Sequence, residues 1–269
     1  MRVAFQGEIR AYSEEAVISH WGSRATPTPC PYLQDVFDAV EAGEADLGLV
    51  PVENSVEGTI TRTLDLLYER PLKVQDETVL RVRHCLIVNP GVKLEDIKRV
   101  YSHPQALGQS RAFLERHRYE PVGEYDTAGS VKLVKERGMV DAAAVASRRA
   151  AEVYGMEVLA EGIETSSENY TRFLAIGAGD TSPTGRDKTS LAFTLNRSGT
   201  LIGALNTLAV EGVKLLRIDI RPLLGEPWKY VYFVDLEGNI EEPAVRRALE
   251  NLVEQAMHVK HLGSYPRAV

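Results

Sequence analysis

The sequence predicts an α/β protein built in two successive parts, and three observations predict it. Over the first two thirds of the 269 residues, short apolar runs alternate with helical patterns, as crossover units and a mainly parallel sheet require. The stretch AGDTSPTGRDK (178–188) then collects turn-forming residues and marks a boundary. Beyond it the pattern reads βαββαβ, the split unit of ferredoxin-like folds. With 44% hydrophobic and 26% charged residues, the chain has the apolar content to bury a core in each part.

Taken in order, VAFQG (3–7) and DLGLVPV (46–52) read as buried strands. Between them Leu33, Val36, Phe37 and Val40 recur at helical spacing, which predicts a helix over 32–43 stopped by Gly43. The opening is therefore strand, helix, helix, strand. LKVQDETV (72–79) and VRHCLIVN (82–89) are extended segments with no helix between them, so the chain crosses there from one lobe to another. VYSHP precedes a helix from about Gln105 to Arg116, PVGEYD is a strand, SVKLVKERG a helix, AAAVAS a strand, RRAAEVYG a helix, and TRFLAIG (171–177) a closing strand. After the boundary come the strand TSLAFTLN (189–196), a helix with Leu201, Ala204, Leu205 and Leu208 on one face, and a strand alternating Leu216, Ile218 and Ile220. WKYVYFVDLEG is the next strand, Val245, Leu249, Leu252 and Val253 line one face of the last helix, and a terminal strand closes the unit.

Lysine plus arginine is 31 against 38 acidic residues, a net charge of −7. An acidic chain without a basic stripe is poorly suited to nucleic-acid phosphates or anionic membranes. MRVAFQGEIRAYSEEA carries charge where a leader needs an apolar stretch, and no apolar run has bilayer length, so the expectation is a cytoplasmic protein. Cys30 and Cys85 sit in unrelated contexts and are expected to be free thiols rather than metal ligands. GxGxxG after a strand, GxxxxGK[ST] and HExxH are all missing, so the expected chemistry uses no cofactor and no metal.

Polar clusters at strand ends remain, where open α/β sheets place ligands. In VPVENSVEGTI (50–60) a strand runs into Glu53, Asn54 and Ser55, and Gly58 and Thr59 open a helix suited to an anion; Asn54 or Ser55 capping that helix is the alternative. In SHPQALGQSR (102–111) Ser102 or His103 caps a helix with Pro104 in its first turn, and Gln105 and Gln109 share a face. In SSENYTRFLAIG (166–177) Thr171 and Arg172 stand at a strand entrance, followed by Phe173. Ser13 in RAYSEEA, and Thr127 and Ser130 in DTAGS, read as helix caps. Together these clusters suit a small substrate with more than one carboxylate.

FQGEIRAYSEEA, VPVENSVEGTI, SHPQALGQSRAFL and ENYTRF, in this order, resemble the motif series of the prephenate dehydratase family. GALNTLAVEGVKLLRIDIRP resembles the ACT regulatory domain attached to these enzymes. The resemblance implies a catalytic part over 1–180, two α/β lobes like a periplasmic binding protein crossed near 75–85 and 160–170, and an ACT domain over 187–269. It implies decarboxylative dehydration of prephenate to phenylpyruvate, with Thr171 donating toward the departing hydroxyl, Asn54, Ser55 and Gln109 binding substrate oxygens, and Glu53 orienting them. Arg172 pairs with a substrate carboxylate or bridges the lobes; Phe173 faces the ring or packs in the wall. L-Phenylalanine is the implied effector, near Gly203, Ala204 and Leu205 and the stretch Asp219, Ile220, Arg221, Pro222, in a homodimer or homotetramer. Two departures stand out: Arg10 replaces a usual glycine, and Asp219-Ile220 replaces the usual Glu-Ser. An arogenate dehydratase and a non-enzymatic carboxylate sensor are the alternatives.

Overall fold

The computed structural model describes residues 1–195 and 200–268; Asn196, the last residue of the expected strand TSLAFTLN, lies outside them. The chain runs through β1 (Arg2–Gln6), α1 (Tyr12–Trp21), β2 (Thr26–Cys30), α2 (Leu33–Glu41), β3 (Leu47–Asn54), β4 (Gly58–Thr59), α3 (Thr61–Glu69) and β5 (Lys73–Arg81). Next come β6 (Cys85–Val88), β7 (Arg99–Ser102), α4 (Pro104–Gln109), α5 (Arg111–His117), β8 (Glu120–Gly123), α6 (Thr127–Glu136), β9 (Ala142–Ala146), α7 (Arg148–Tyr154), β10 (Glu157–Glu161) and β11 (Tyr170–Gly177). The remainder is β12 (Asp187–Leu195), α8 (Leu201–Val210), β13 (Leu215–Pro222), β14 (Tyr230–Glu237), α9 (Pro243–Gln255) and β15 (Ala256–Pro266). By contact the chain forms two compact units: 1–36, 53–58 and 79–172 make the first, and 37–52, 59–78 and 173 onward the second.

The first unit carries a five-stranded sheet in the order β10-β6-β9-β7-β8. The strand β9, AAAVA, is buried throughout, and its alternation divides it between two cores. Ala142, Ala144 and Ala146 meet Ala128, Val131 and Val134 of α6 with Ala150 and Ala151 of α7. Ala143 and Val145 meet Ala106, Leu107 and Leu114 on the other face. Small side chains on the central strand let helices approach both faces. The sheet is mixed, not mainly parallel: β7 is parallel to β8 and β9, whereas β6 is antiparallel to both of its neighbours, β9 and β10.

An unexpected strand, β2, lies between the first two helices and pairs in parallel with β1. Its sequence TPTPC argues against a strand because proline donates nothing to a ladder. The Thr26 amide donates to Met1 O, so alternation leaves Pro27 and Pro29 with their missing N–H on the outer side, and β2 is an edge strand. The expected single helix over 105–116 is two, broken at Ser110, whose φ of −98° and ψ of 9° leave the helical region.

In the second unit, β12-α8-β13-β14-α9-β15 reproduces the predicted βαββαβ order, with an antiparallel sheet ordered β13-β14-β12-β15. Leu191, Phe193, Val234 and Leu236 form one sheet face, packed against Ala204 and Leu208 of α8 and Val245, Ala248 and Leu252 of α9. Lys260 reaches the carbonyls of Leu67 and Tyr68, each at 2.9 Å, and so caps the C-terminal end of α3. No helix among the described residues is long and apolar enough to cross a membrane.

Candidate active site

The polar residues of three sequence clusters meet in the first unit. β3 ends at Asn54, which is buried, and its Oδ1 accepts from the backbone amides of Val56 (2.9 Å) and Glu57 (3.0 Å). The loop is thus closed by an Asx-type turn. The expected helix opening at Gly58 is not formed: Gly58 and Thr59 make the short β4, and α3 begins at Thr61 without a side-chain cap. Asn54 Nδ2 donates to Asn169 Oδ1 at 2.8 Å, to Thr171 Oγ1 at 3.0 Å and to Tyr170 O at 3.2 Å. Ser55 Oγ donates to Glu168 O at 2.6 Å and accepts from Tyr170 N at 2.9 Å, pinning the strand entrance. Glu53 and Arg172 form an ion pair at 3.2 Å.

From Asn169, which is wholly buried, the bonds continue. Asn169 Nδ2 donates to Gln109 Oε1 at 2.9 Å, and His84 Nε2 lies 2.8 Å from the same oxygen. His84 Nδ1 is 2.9 Å from the Tyr12 hydroxyl, with the rings edge to face. Burial lowers the His84 pKa against opposing effects of the Gln109 bond and Glu164, so the ring is neutral near pH 7. Burial likewise raises the Tyr12 pKa, keeping the phenol protonated. Gln109, Asn169, Val56, Glu57, Arg111 and Glu164 border a cavity of about 350 Å³.

The other expected site residues are placed differently. Gln105, in the first turn of α4, is exposed, while Gln109, its last residue, is buried. His103 caps α4 as expected, its Nδ1 accepting from Gln105 N at 3.3 Å. Ser13 lies inside α1 and caps nothing; Ala11 holds that position. Asp126, not Thr127 or Ser130, caps α6 by accepting from Gly129 N at 3.1 Å, and Ser130 Oγ donates back to Asp126 O. Phe173 is buried in the second unit. Arg10 takes φ 81°, the left-handed region a glycine would fill at no cost. The backbone turn a glycine would make is kept there and a guanidinium is added 3.6 Å from Glu14.

In the second unit, Gly203 N donates to Thr200 Oγ1, and Ala204 is fully buried; Leu205 packs at the margin of the same core. Asp219 and Arg221 share one face of β13: Asp219 accepts from Thr59 and pairs with Arg217 at 2.7 Å, and Arg221 grips Asp65 at 2.9 and 3.0 Å. Ile220 points to the opposite face, across from Tyr232, and Pro222 ends the strand exposed. Cys30 and Cys85 are both buried, and neither forms a disulfide. No cluster of metal-ligating side chains occurs among the described residues.

Sequence reasoning passed over Tyr12, His84 and Asn169. His84 was visible as a polar residue inside the apolar run VRHCLIVN, and Asn169 as the residue two before Thr171.

Residues 3–181 match the family described as Prephenate dehydratase. A bifunctional chorismate mutase/prephenate dehydratase of Neisseria gonorrhoeae is 39% identical over 272 residues, covering 100% of this chain and 75% of that protein. An Arabidopsis thaliana protein named arogenate dehydratase/prephenate dehydratase 2, chloroplastic, is 38% identical over 99% of this chain and 73% of its own. The solved structure of Arthrobacter aurescens prephenate dehydratase in complex with L-Phe superposes with a TM-score of 0.91 at 33% identity, covering 100% of this chain and 90% of that one. Another, described as a quorum-quenching acylase, has a TM-score of 0.90 at 35% identity and covers 100% and 98% of the two chains. The chain belongs to the prephenate dehydratase family.

Proposed function

We propose that the chain converts prephenate to phenylpyruvate, carbon dioxide and water, with Thr171 as the hydrogen-bond donor to the departing hydroxyl. The observation that carries this reading is the 3.0 Å bond from Asn54 Nδ2 into Thr171 Oγ1. Once that oxygen accepts, the threonine's own proton is left to donate, and no acceptor takes it among the described residues. In the reaction the bond from ring to carboxylate breaks, its electron pair enters the ring, and the opposite C–O bond breaks as hydroxide leaves and is protonated. Aromatisation supplies the driving force, so the protein needs to hold a dianion in place and stabilise charge growing on the leaving oxygen. A threonine hydroxyl is too weak an acid to transfer its proton early, and hydrogen bonding is the role its chemistry allows. Arg172, held by Glu53, supplies a guanidinium of the type that binds carboxylates. An acyl-transfer reading lacks its base, since three amide side chains separate the His84 imidazole from Thr171.

The reading extends to the whole chain. Residues 1–180 form the two-lobed catalytic part, 187–269 an ACT domain that takes L-phenylalanine, and copies pair through that domain as a homodimer or homotetramer in the cytoplasm. The βαββαβ unit supports this, as does the L-Phe in the Arthrobacter aurescens structure. The Arabidopsis thaliana relative named for both substrates makes arogenate the second candidate. Turnover of purified protein on each separates them: the reading expects faster phenylpyruvate formation from prephenate than phenylalanine formation from arogenate, and the reverse order would assign arogenate.

A further inference from the structure

The bonds between His84 and Thr171 all run one way, and the backbone sets the direction. The amides of Val56 and Glu57 converge on one atom of the Asn54 side chain, which must be its oxygen. The Asn54 nitrogen therefore faces Asn169 and Thr171. Asn169 must then accept through Oδ1 and donate through Nδ2, so Gln109 presents Oε1 to it. That same oxygen faces His84 Nε2 at 2.8 Å, which requires the imidazole proton on Nε2. The ring is neutral, so Nδ1 is left as the acceptor, and the Tyr12 hydroxyl 2.9 Å away shares its one proton between that nitrogen and Arg83 O at 2.8 Å. Reversing any one amide would set two acceptors or two donors face to face inside a buried network.

We propose that His84 and Asn169 are positioning residues for Thr171, holding the Asn54 amide through this one-way chain so that the Thr171 hydroxyl stays a donor. Neither residue needs to touch substrate; each acts through Asn54. The inference rests on the reading of Thr171 given above.

The test combines ring ¹⁵N chemical shifts of His84 with steady-state kinetics on prephenate. In the wild type, Nε2 is expected protonated and Nδ1 unprotonated at neutral pH; the opposite tautomer overturns the proposal without any variant. In Asn169→Asp, Gln109 must turn its amide to donate, and the His84 proton is expected to move to Nδ1; unchanged ring signals contradict the chain. His84→Leu removes the donor to Gln109 and is expected to lower kcat by about tenfold or more with KM within about twofold, because the loss falls on the transition state. His84→Gln, whose Nε2 restores that donor, is expected within about threefold of wild-type kcat. Wild-type kcat in His84→Leu, or equal losses in both variants, counts against a positioning role. Thr171→Val separates the two levels: its normal turnover removes the Thr171 reading, whereas its inactivity beside a fully active His84→Leu removes the positioning role alone.

Discussion

His261 on β15 shows how a single side chain ties stability to pH. Its Nδ1 lies 3.3 Å from Lys73 Nζ and its Nε2 3.2 Å from Ser264 Oγ. Burial, and then the Lys73 cation, push its pKa down to about 4, outweighing Asp180 at 3.6 Å. In the unfolded chain an imidazole takes its proton near pH 6.5. As pH falls from about 6.5 to about 4 the unfolded state gains a proton the folded state refuses, so stability is full above this window and lost through it. The loss reaches about 3 kcal/mol at the lower end. Denaturant unfolding across this range is expected to show a flatter pH dependence for His261→Gln than for wild type; equal slopes would assign the loss elsewhere. Thr171, Asn54 and Gln109 stood out in the sequence through motif clusters, whereas His84 and Tyr12 did not, because their partners lie 25 and 72 residues away in the chain. Local pattern carries no record of such pairs.

Elements were legible where their signal was local. The alanine-rich β9, the cap at His103 and the whole βαββαβ run follow from spacing and composition. The capping residue of α6 was misassigned within DTAGS because Asp, Thr and Ser all satisfy the same rule. The edge strand β2 was hidden by prolines whose tolerance depends on a neighbour the sequence does not show. Gly263 of β15 runs so close to β5 that a Cβ there would lie 2.2 Å from Val74 O, a backbone atom that cannot swing aside. Gly263→Ala is therefore expected to destabilise the protein by about 2 kcal/mol or more in chemical denaturation. A change below about 0.5 kcal/mol, the usual range of a neutral surface site, would show that the two strands separate freely.

For the whole molecule, the chain spans three quarters of its Neisseria gonorrhoeae relative, and the match takes in both the polar motif clusters and the βαββαβ unit. The proposed effector residues divide by face: Asp219 and Arg221 are engaged with Thr59 and Asp65, while Ile220, half exposed, lies on the opposite side of β13. Phenylalanine is expected to suppress prephenate turnover, and Ile220→Ser, which restores a hydroxyl on that face, to bind phenylalanine more tightly by calorimetry. Equal affinity in the two proteins would remove Ile220 from the effector site. The central claim is that this chain dehydrates prephenate through the Thr171 hydroxyl. Its most direct test is phenylpyruvate formation from prephenate by wild type and Thr171→Ala, with circular dichroism confirming the fold of both. Rapid wild-type turnover and a loss of about 10²-fold or more in kcat for the variant is the expected result, the scale of losing one transition-state donor. A folded Thr171→Ala enzyme that turns over prephenate at the wild-type rate would contradict it.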